Sequence, residues 1–490
     1  MTSSGAMDAP VASFPAPRHT CIRLRRLDNC ETFEYRGVSA VNSVFRDIQE
    51  RSDDIQGLVA RPLPLPALAT IDAMLPEDLP ALEELELRVD IPEDDPDTVQ
   101  TIHTLNLNLL PSRLPELSTL VLLNSAAHIS APIASHLYRL RMINPPGCAN
   151  TLPLLPFVHC LHYIDQLADL VVRNCFSPAS AEDPVGCPPV MGRLQWVTIE
   201  DYPVNISHML GAFILQSNTD TNLIANLRGA PIEQVQAAFT TMLPRDRNCL
   251  PVLQKITDLS VRCSSDYAQI VGKVAWNPGY LFLEVITDVS DPPTEADKRD
   301  MGDLYESMVR GLGDLFPGAP VEELDFCGDN DYIPRATWAA ALDRFPQVRK
   351  LEIDMYDIAA RGPLKELFAA LIRPCWRPQD QLPCQRLDDL TLYGTAGIAP
   401  ATELWEALKR CFGERKERLG KKYVALRRLW VNLYGGELIS NEETAFCKSD
   451  MFYGLANERT IVQVYAETHD INDLIIIWDP LITHEFCSIQ

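Results

Sequence analysis

No stretch of this 490-residue chain stays apolar for the ~20 residues that a membrane-spanning helix requires. The longest apolar cluster, DLIIIWDPLI, is broken by Asp479 and Pro480, so no bilayer span is expected. The start, MTSSGAMDAPVASFPAPRHT, has no basic segment leading into an apolar one and does not read as a secretory signal. Basic residues are scarce: 43 Lys and Arg stand against 67 Asp and Glu, a net charge of −24. Such a balance is repelled by phosphate backbones and anionic lipid, so neither nucleic acid nor a membrane is an expected partner. Paired-cysteine motifs are missing too. The 14 cysteines are scattered without a CxxC, several in apolar runs such as LVVRNC (Cys175) and LDFCG (Cys327). They read as buried free thiols in a reducing compartment, cytoplasmic or nuclear.

Local signatures of catalysis are absent as well. There is no GxSxG, HExxH or kinase signature, and GLGDLFPG lacks the GKS/T of a phosphate cradle and reads as a helix end and turn. His159, Cys160 and His162 in HCLH sit on an expected helix with no second ligand pair at usable spacing. Asp325, Asp329 and Asp331 in DFCGDNDYIP lack the glycine position and distal glutamate of a calcium loop. No catalytic residue, metal or cofactor is therefore assigned.

What the chain has is a cadence: apolar, two residues, apolar, one residue, apolar. It first appears as Leu82, Leu85, Leu87 in LPALEELELRVD, where the period shifts from a turn to a strand. Nine further copies follow, starting at Leu117, Leu137, Leu167, Leu194, Ile256, Val321, Val348, Leu387 and Leu426. Helical segments lie between many of them: DTVQTIHTLNLNLLPSR, TLPLLPFVHCLHYIDQ, RATWAAALDRF, GPLKELFAALIRP and TELWEALKRCFGERKERLG. Strand and helix in alternation mean parallel strands joined by crossovers. Polar residues stand between the cadence positions (Glu86, Thr198, Ser260, Asp325, Glu352, Thr391), so one sheet face is expected to be wet.

That pattern predicts an α/β chain, an irregular leucine-rich-repeat solenoid or horseshoe with a parallel sheet on its concave face and helices on its convex face. Residues 1–20 are expected to be a disordered tail and 21–78 an N-terminal capping region, with TCIRLRRL as a strand and VSAVNSVFRDIQERSDDIQGLVA as a helix. The solenoid then occupies 79–465 and a cap 466–490. The gap from Val197 to Leu259 should hold two degenerate strands in MLGAFILQSNTDTNLIANL and a helix in APIEQVQAAFTTML. The usual Asn or Cys three residues past the last cadence position is met by Cys175 but not by Ser125, Ser264, Asp329 or Thr395, so the turns must be held in other ways.

The repeats LPALEELELRVD, LPELSTLVLLNS and IDQLADLVVRNC, with the turn INPPGCANTLPLLPF, resemble the fungal set of F-box/leucine-rich-repeat-like proteins. The resemblance implies a substrate-recognition subunit whose F-box docks on the adaptor of a cullin-based ubiquitin ligase. No Leu-Pro-x-Glu segment feeding three short helices precedes Cys21, and MLPEDLP at 74–80 runs straight into the strand at Leu82.

Function is therefore expected on the concave face, as protein-partner binding without catalysis. Lys350, Glu352 and Asp354, then Asp389, Thr391 and Tyr393, then Arg428, Trp430 and Asn432 should form aligned rows, with Glu352, Tyr393, Arg428 and Trp430 as the candidate contacts. Trp430 could instead be covered by the C-terminal DLIIIWDPL. The basic stretch KRCFGERKERLGKK reads as a solvated helical face with internal ion pairs. The alternative from another class is a hydrolase or transferase whose site is assembled in residues 200–250.

Overall fold

The structure is a computed structural model of the chain, and it describes residues 20–26, 30–35, 48, 52–63, 79–89, 104–105, 114–146, 152–178, 188–228, 230–264, 267–276, 279–287, 294–355, 364–372, 382–395, 398–424, 426–434, 461–467 and 474–478. The chain divides into two compact units, Met1–Pro153 and Leu154–Gln490. In each, the core is an open sheet, mostly parallel and not closed into a barrel.

In the first unit, β1 (Thr20–Arg26) pairs antiparallel with both β2 (Cys30–Tyr35) and β3 (Ile55–Leu63). From β3 onward the pairing is parallel, through β4 (Glu84–Val89), β6 (Thr119–Leu123) and β8 (Arg139–Ile143). A separate two-residue strand, β5 (Thr104–Leu105), pairs with β7 (Ala126–Ala127), and Ala131–Ala134 form a single helical turn, α1. The helix expected over 38–60 is corrected in its last six residues by β3; Ile48 is helical, Ser52–Asp54 form a 3-10 turn, and residues 38–47 and 49–51 lie outside the described residues. Ile55, Leu58, Ala60 and Leu63 are fully buried, and the strand pairs along its length with β1 and β4, so a long-range ladder overrides local helical periodicity. Thr104 and Leu105 likewise fall in a strand where a helix was expected, and the rest of that segment lies outside the described residues.

In the second unit the strands run β9 (Asp169–Arg173), β10 (Trp196–Asp201), β11 (Asp220–Asn226), β14 (Tyr280–Ile286), β13 (Tyr267–Lys273), β12 (Asp258–Cys263), β15 (Glu323–Gly328), β16 (Lys350–Met355), β17 (Asp389–Thr395), β18 (Arg428–Tyr434), β19 (Ile461–Glu467) and β20 (Leu474–Trp478). The order departs from sequence at one place. After β11 the chain skips two strand positions to lay down β12 at the third, then folds back through β13 to β14, which closes against β11 in parallel. This leaves β13 antiparallel to both neighbours inside an otherwise parallel run. β20 extends the sheet beyond β19 as an antiparallel edge, so the apolar LIIIW lies in the sheet beside β19.

Among the described residues of this unit, seven α-helices follow one another: α2 (Leu154–Leu161), α3 (Pro203–Gly211), α4 (Ile232–Thr241), α5 (Glu295–Leu315), α6 (Arg335–Arg344), α7 (Lys365–Ile372) and α8 (Ile398–Leu419), each touching the next. They cover the apolar side of the sheet. Phe326 of β15 meets Trp338 of α6 edge to face, ring centroids 4.9 Å apart.

All ten copies of the cadence lie on or lead into strands, and every cadence side chain from Leu82 to Leu429 is buried. Each copy contributes a gross burial term of roughly 1.5–3 kcal/mol per side chain, before conformational entropy is set against it. The reading of MLGAFILQSNTDTNLIANL as two strands is corrected. Its first three residues, Met209–Gly211, complete α3 with Met209 and Leu210 buried, Ile214 makes a single bridge to Val190, and only Asp220–Asn226 forms a strand.

Two of the turns are held by asparagine one position earlier than the usual spacing. Asn124 takes a positive φ of 58°, and its Nδ2 donates to the Val89 carbonyl at 2.8 Å. Asn174, at φ 51°, donates its backbone N–H to Glu200 at 2.7 Å and its Nδ2 to the Glu200 carboxylate at 3.0 Å. Each follows its last cadence residue by two positions. Asparagine tolerates the left-handed region and its amide supplies the donor that an open turn needs.

Candidate binding face

Alternation along a strand sends every second side chain to the face opposite the helices. In the second unit the ladder registers align these residues across strands. One row runs Asp258, Glu323, Lys350, Asp389, Arg428; the next Ser260, Asp325, Glu352, Thr391, Trp430; the third Arg262, Cys327, Asp354, Tyr393. The four sequence-derived candidates are thus brought together: Glu352, Tyr393, Arg428 and Trp430 stand on one face of the adjacent strands β16, β17 and β18. Glu352, Tyr393 and Trp430 are partly buried, and Arg428 is exposed.

The wetness expected of this face is uneven. Glu352, Asp325 and Ser260 are half-buried, but Thr198 and Thr391 are only 2% and 4% exposed. Small β-branched residues in the middle of a row are shaded by larger neighbours. Cys327 is also corrected: it is partly exposed on the polar face, and its thiol donates to Asp354 Oδ2 at 3.5 Å. Among the described cysteines, Cys160, Cys175, Cys249, Cys263, Cys384 and Cys411 are buried free thiols.

A groove in this face reaches one of the four candidates, Glu352. It has a volume of about 430 Å³ and lies over β14, β13, β12, β15 and β16, walled by Tyr280, Lys273, Gln269, Asp258, Arg262, Glu323, Asp325, Lys350 and Glu352. It sits where the antiparallel β13 enters the run. Its charges are interlocked: Lys350 Nζ lies 3.3 Å from carboxylate oxygens of both Glu323 and Glu352, Arg262 reaches Asp325 at 3.5 Å, and Ser260 donates to the same carboxylate at 2.7 Å. Burial would lower the Lys350 ammonium, but Glu323 and Glu352 together hold it above its ordinary value. Burial, followed by the neighbouring Glu323, pushes the Asp258 carboxyl up. Sequence reasoning reached Lys350, Glu352 and Asp325 but missed the β13 and β14 side. The available signal was the strict alternation of YAQIVGK and YLFLEVI, which breaks the cadence and marks a hairpin.

Trp276, between β13 and β14, is fully exposed, with φ 63°. Residues 200–250 form the end of β10, then α3, β11 and α4, which continue the sheet and helix layer, and none of them lines the groove. His159 is exposed and Cys160 buried on α2. Among the described residues there is no group of three or more His, Cys, Asp or Glu placed to hold a metal ion, and no helix is long and apolar enough to cross a membrane.

The basic stretch on α8 is corrected at one residue. Arg415 is 2% exposed, and its guanidinium donates to the carbonyls of Leu371, Pro383 and Cys384 at 2.7, 3.0 and 2.7 Å. Arg418 adds a bond to the Ile372 carbonyl at 2.5 Å. Together they cap the C-terminal end of α7, where unsatisfied carbonyls and the helix dipole favour a cation.

No protein-family model matches the chain, and no characterised protein matches its sequence. What the fold itself defines is an α/β protein built on an open, mostly parallel sheet. In the second unit one face of that sheet lies under helices and the other presents ordered polar rows.

Proposed function

We propose that this chain is a non-enzymatic interaction module, a solenoid of the leucine-rich-repeat kind, that binds a protein partner on the polar sheet face of its second unit. The observation that carries the reading is the placement of Glu352, Tyr393, Arg428 and Trp430 on one face of three neighbouring parallel strands, continuous with the groove over β12 to β16. Aromatic rings beside ion-paired charges are the make-up of binding hot spots, and a broad array of side chains held by a rigid sheet suits a protein surface. The free buried thiols fit a reducing compartment, the cytoplasm or nucleus.

Delivery of the partner to a cullin-based ubiquitin ligase is the further role that the resemblance to F-box/leucine-rich-repeat-like proteins implies.

Affinity capture with the full chain tests both parts. A partner retained by the native protein, lost by a Glu352→Lys, Arg428→Glu double variant and rebound in purified form supports the face as the site. A capture profile identical for native and variant proteins removes it. Absence of adaptor and cullin from the native capture removes the ligase role alone.

A further inference from the structure

We infer that the segment docking on this face is cationic: an extended stretch of partner protein carrying arginine and lysine side chains. The inference rests on the binding role proposed above and adds the chemistry of what is bound.

Its basis is how the charges of the face are already committed. Lys350 is shared by Glu323 and Glu352, Arg262 is held by Asp325, and Arg428 lies 3.4 Å from Asp389. These cations are engaged within the sheet, yet carboxylates remain over. Asp389, in register with Lys350 beside the groove, is 5% exposed; one of its carboxylate oxygens faces Arg428 and the other is buried with no hydrogen-bond partner. One oxygen of Asp220, whose carboxylate also meets the Tyr280 backbone N–H, is likewise buried with no hydrogen-bond partner. Asp220, Asp258, Asp354 and Asp389 are all held above the usual carboxylate range with burial as the leading cause, so each gains from the approach of a positive charge. An acidic segment would meet chiefly Lys273, which stands in register with Asp258.

The shape of the groove agrees. It crosses five strands at ~4.8 Å spacing, a span that about six residues of extended chain would cover. On its β14 side the rings of Tyr280 and Phe282 lie 6.2 Å apart and 18° from parallel, both partly exposed. Such faces receive a guanidinium by cation–π attraction.

The test is fluorescence anisotropy on the full chain with two labelled twelve-residue probes, one alternating Arg or Lys with Gly or Ser, the other with Glu at the same positions. The cationic probe is expected to bind, and to weaken steeply as salt rises from about 50 to 300 mM. An Asp258→Asn, Glu323→Gln variant should bind it about tenfold or more weakly. These two carboxylates are neighbours in register and repel one another, and Lys350 keeps its pair with Glu352 when Glu323 is neutralised; the melting temperature of the variant checks that the fold is retained. A Glu233→Gln, Glu366→Gln variant, altered only on exposed helix positions, should bind as the native chain does. Equal binding by the native and groove variants, or no binding of the cationic probe, overturns the inference. Binding of the acidic probe instead, lost on Lys273→Ala, overturns the cationic chemistry while leaving the face as the site.

Discussion

The guanidinium of Arg415 on α8 donates to the backbone carbonyl of Cys384 at 2.7 Å, and Cys384 itself holds a positive φ of 46°. One side chain thereby joins the end of α7, the turn before β17 and α8. Replacing Arg415 with Ala removes three buried hydrogen bonds to carbonyls, of which that of Cys384 keeps a second donor, the Leu387 N–H at 3.0 Å, and should cost about 3–5 kcal/mol, measured as a shift in urea midpoint. Arg415→Lys should recover only part of that loss, because an ammonium cannot reproduce the planar fork that reaches three carbonyls. Equal stability of native and Ala proteins would remove Arg415 as a structural hub.

A second network should behave cooperatively. Asn330, 3% exposed, accepts a hydrogen bond from Tyr305 Oη at 2.8 Å, while its Nδ2 donates to the carbonyls of Asp354 at 2.8 Å and Gly328 at 3.2 Å. Tyr305→Phe removes a donor; Asn330→Ala strands the buried hydroxyl and frees the turn after β15. A double-mutant cycle should give a coupling of about 1–2 kcal/mol between them. Strict additivity would show that the two residues do not act together.

Asp201 makes stability depend on pH. Burial pushes its carboxyl up to about 6 against an ordinary 3.8, although the backbone N–H of Tyr202, the amide of Asn205 and the backbone N–H of Phe176 donate to it at 2.8, 2.6 and 3.3 Å. With the folded value above the unfolded one, the native state binds the proton more tightly. Stability relative to an Asp201→Asn variant should therefore rise as pH falls from about 6 toward 4, by at most about 3 kcal/mol, and level off above and below. Thermal melts of both proteins across that window check the sign. A difference that is flat, or that shrinks on acidification, contradicts it.

Much of the scaffold was legible because its signals are local. The three-then-two spacing of Leu351 and its equivalents reflects side-chain alternation within a few residues, and burial follows from it directly. The same spacing placed Glu352 and Trp430 on one face, since residues between buried positions have nowhere else to go. Elements whose fate depends on distant partners were misread: β3 has a helical periodicity but is claimed by the ladders of β1 and β4, and Arg415 looks like a solvated surface residue until α7 is packed beside it.

The amino-acid sequence alone determined the alternation of strand and helix, the apolar side of each strand and the polar identity of the other. Only the tertiary structure decided the neighbours. It folded β12, β13 and β14 back so that Asp258 stands beside both Glu323 and Lys273, and so formed the groove. Strand order and register are set by pairing between segments tens of residues apart, and a local period carries no record of which ladder a strand will join.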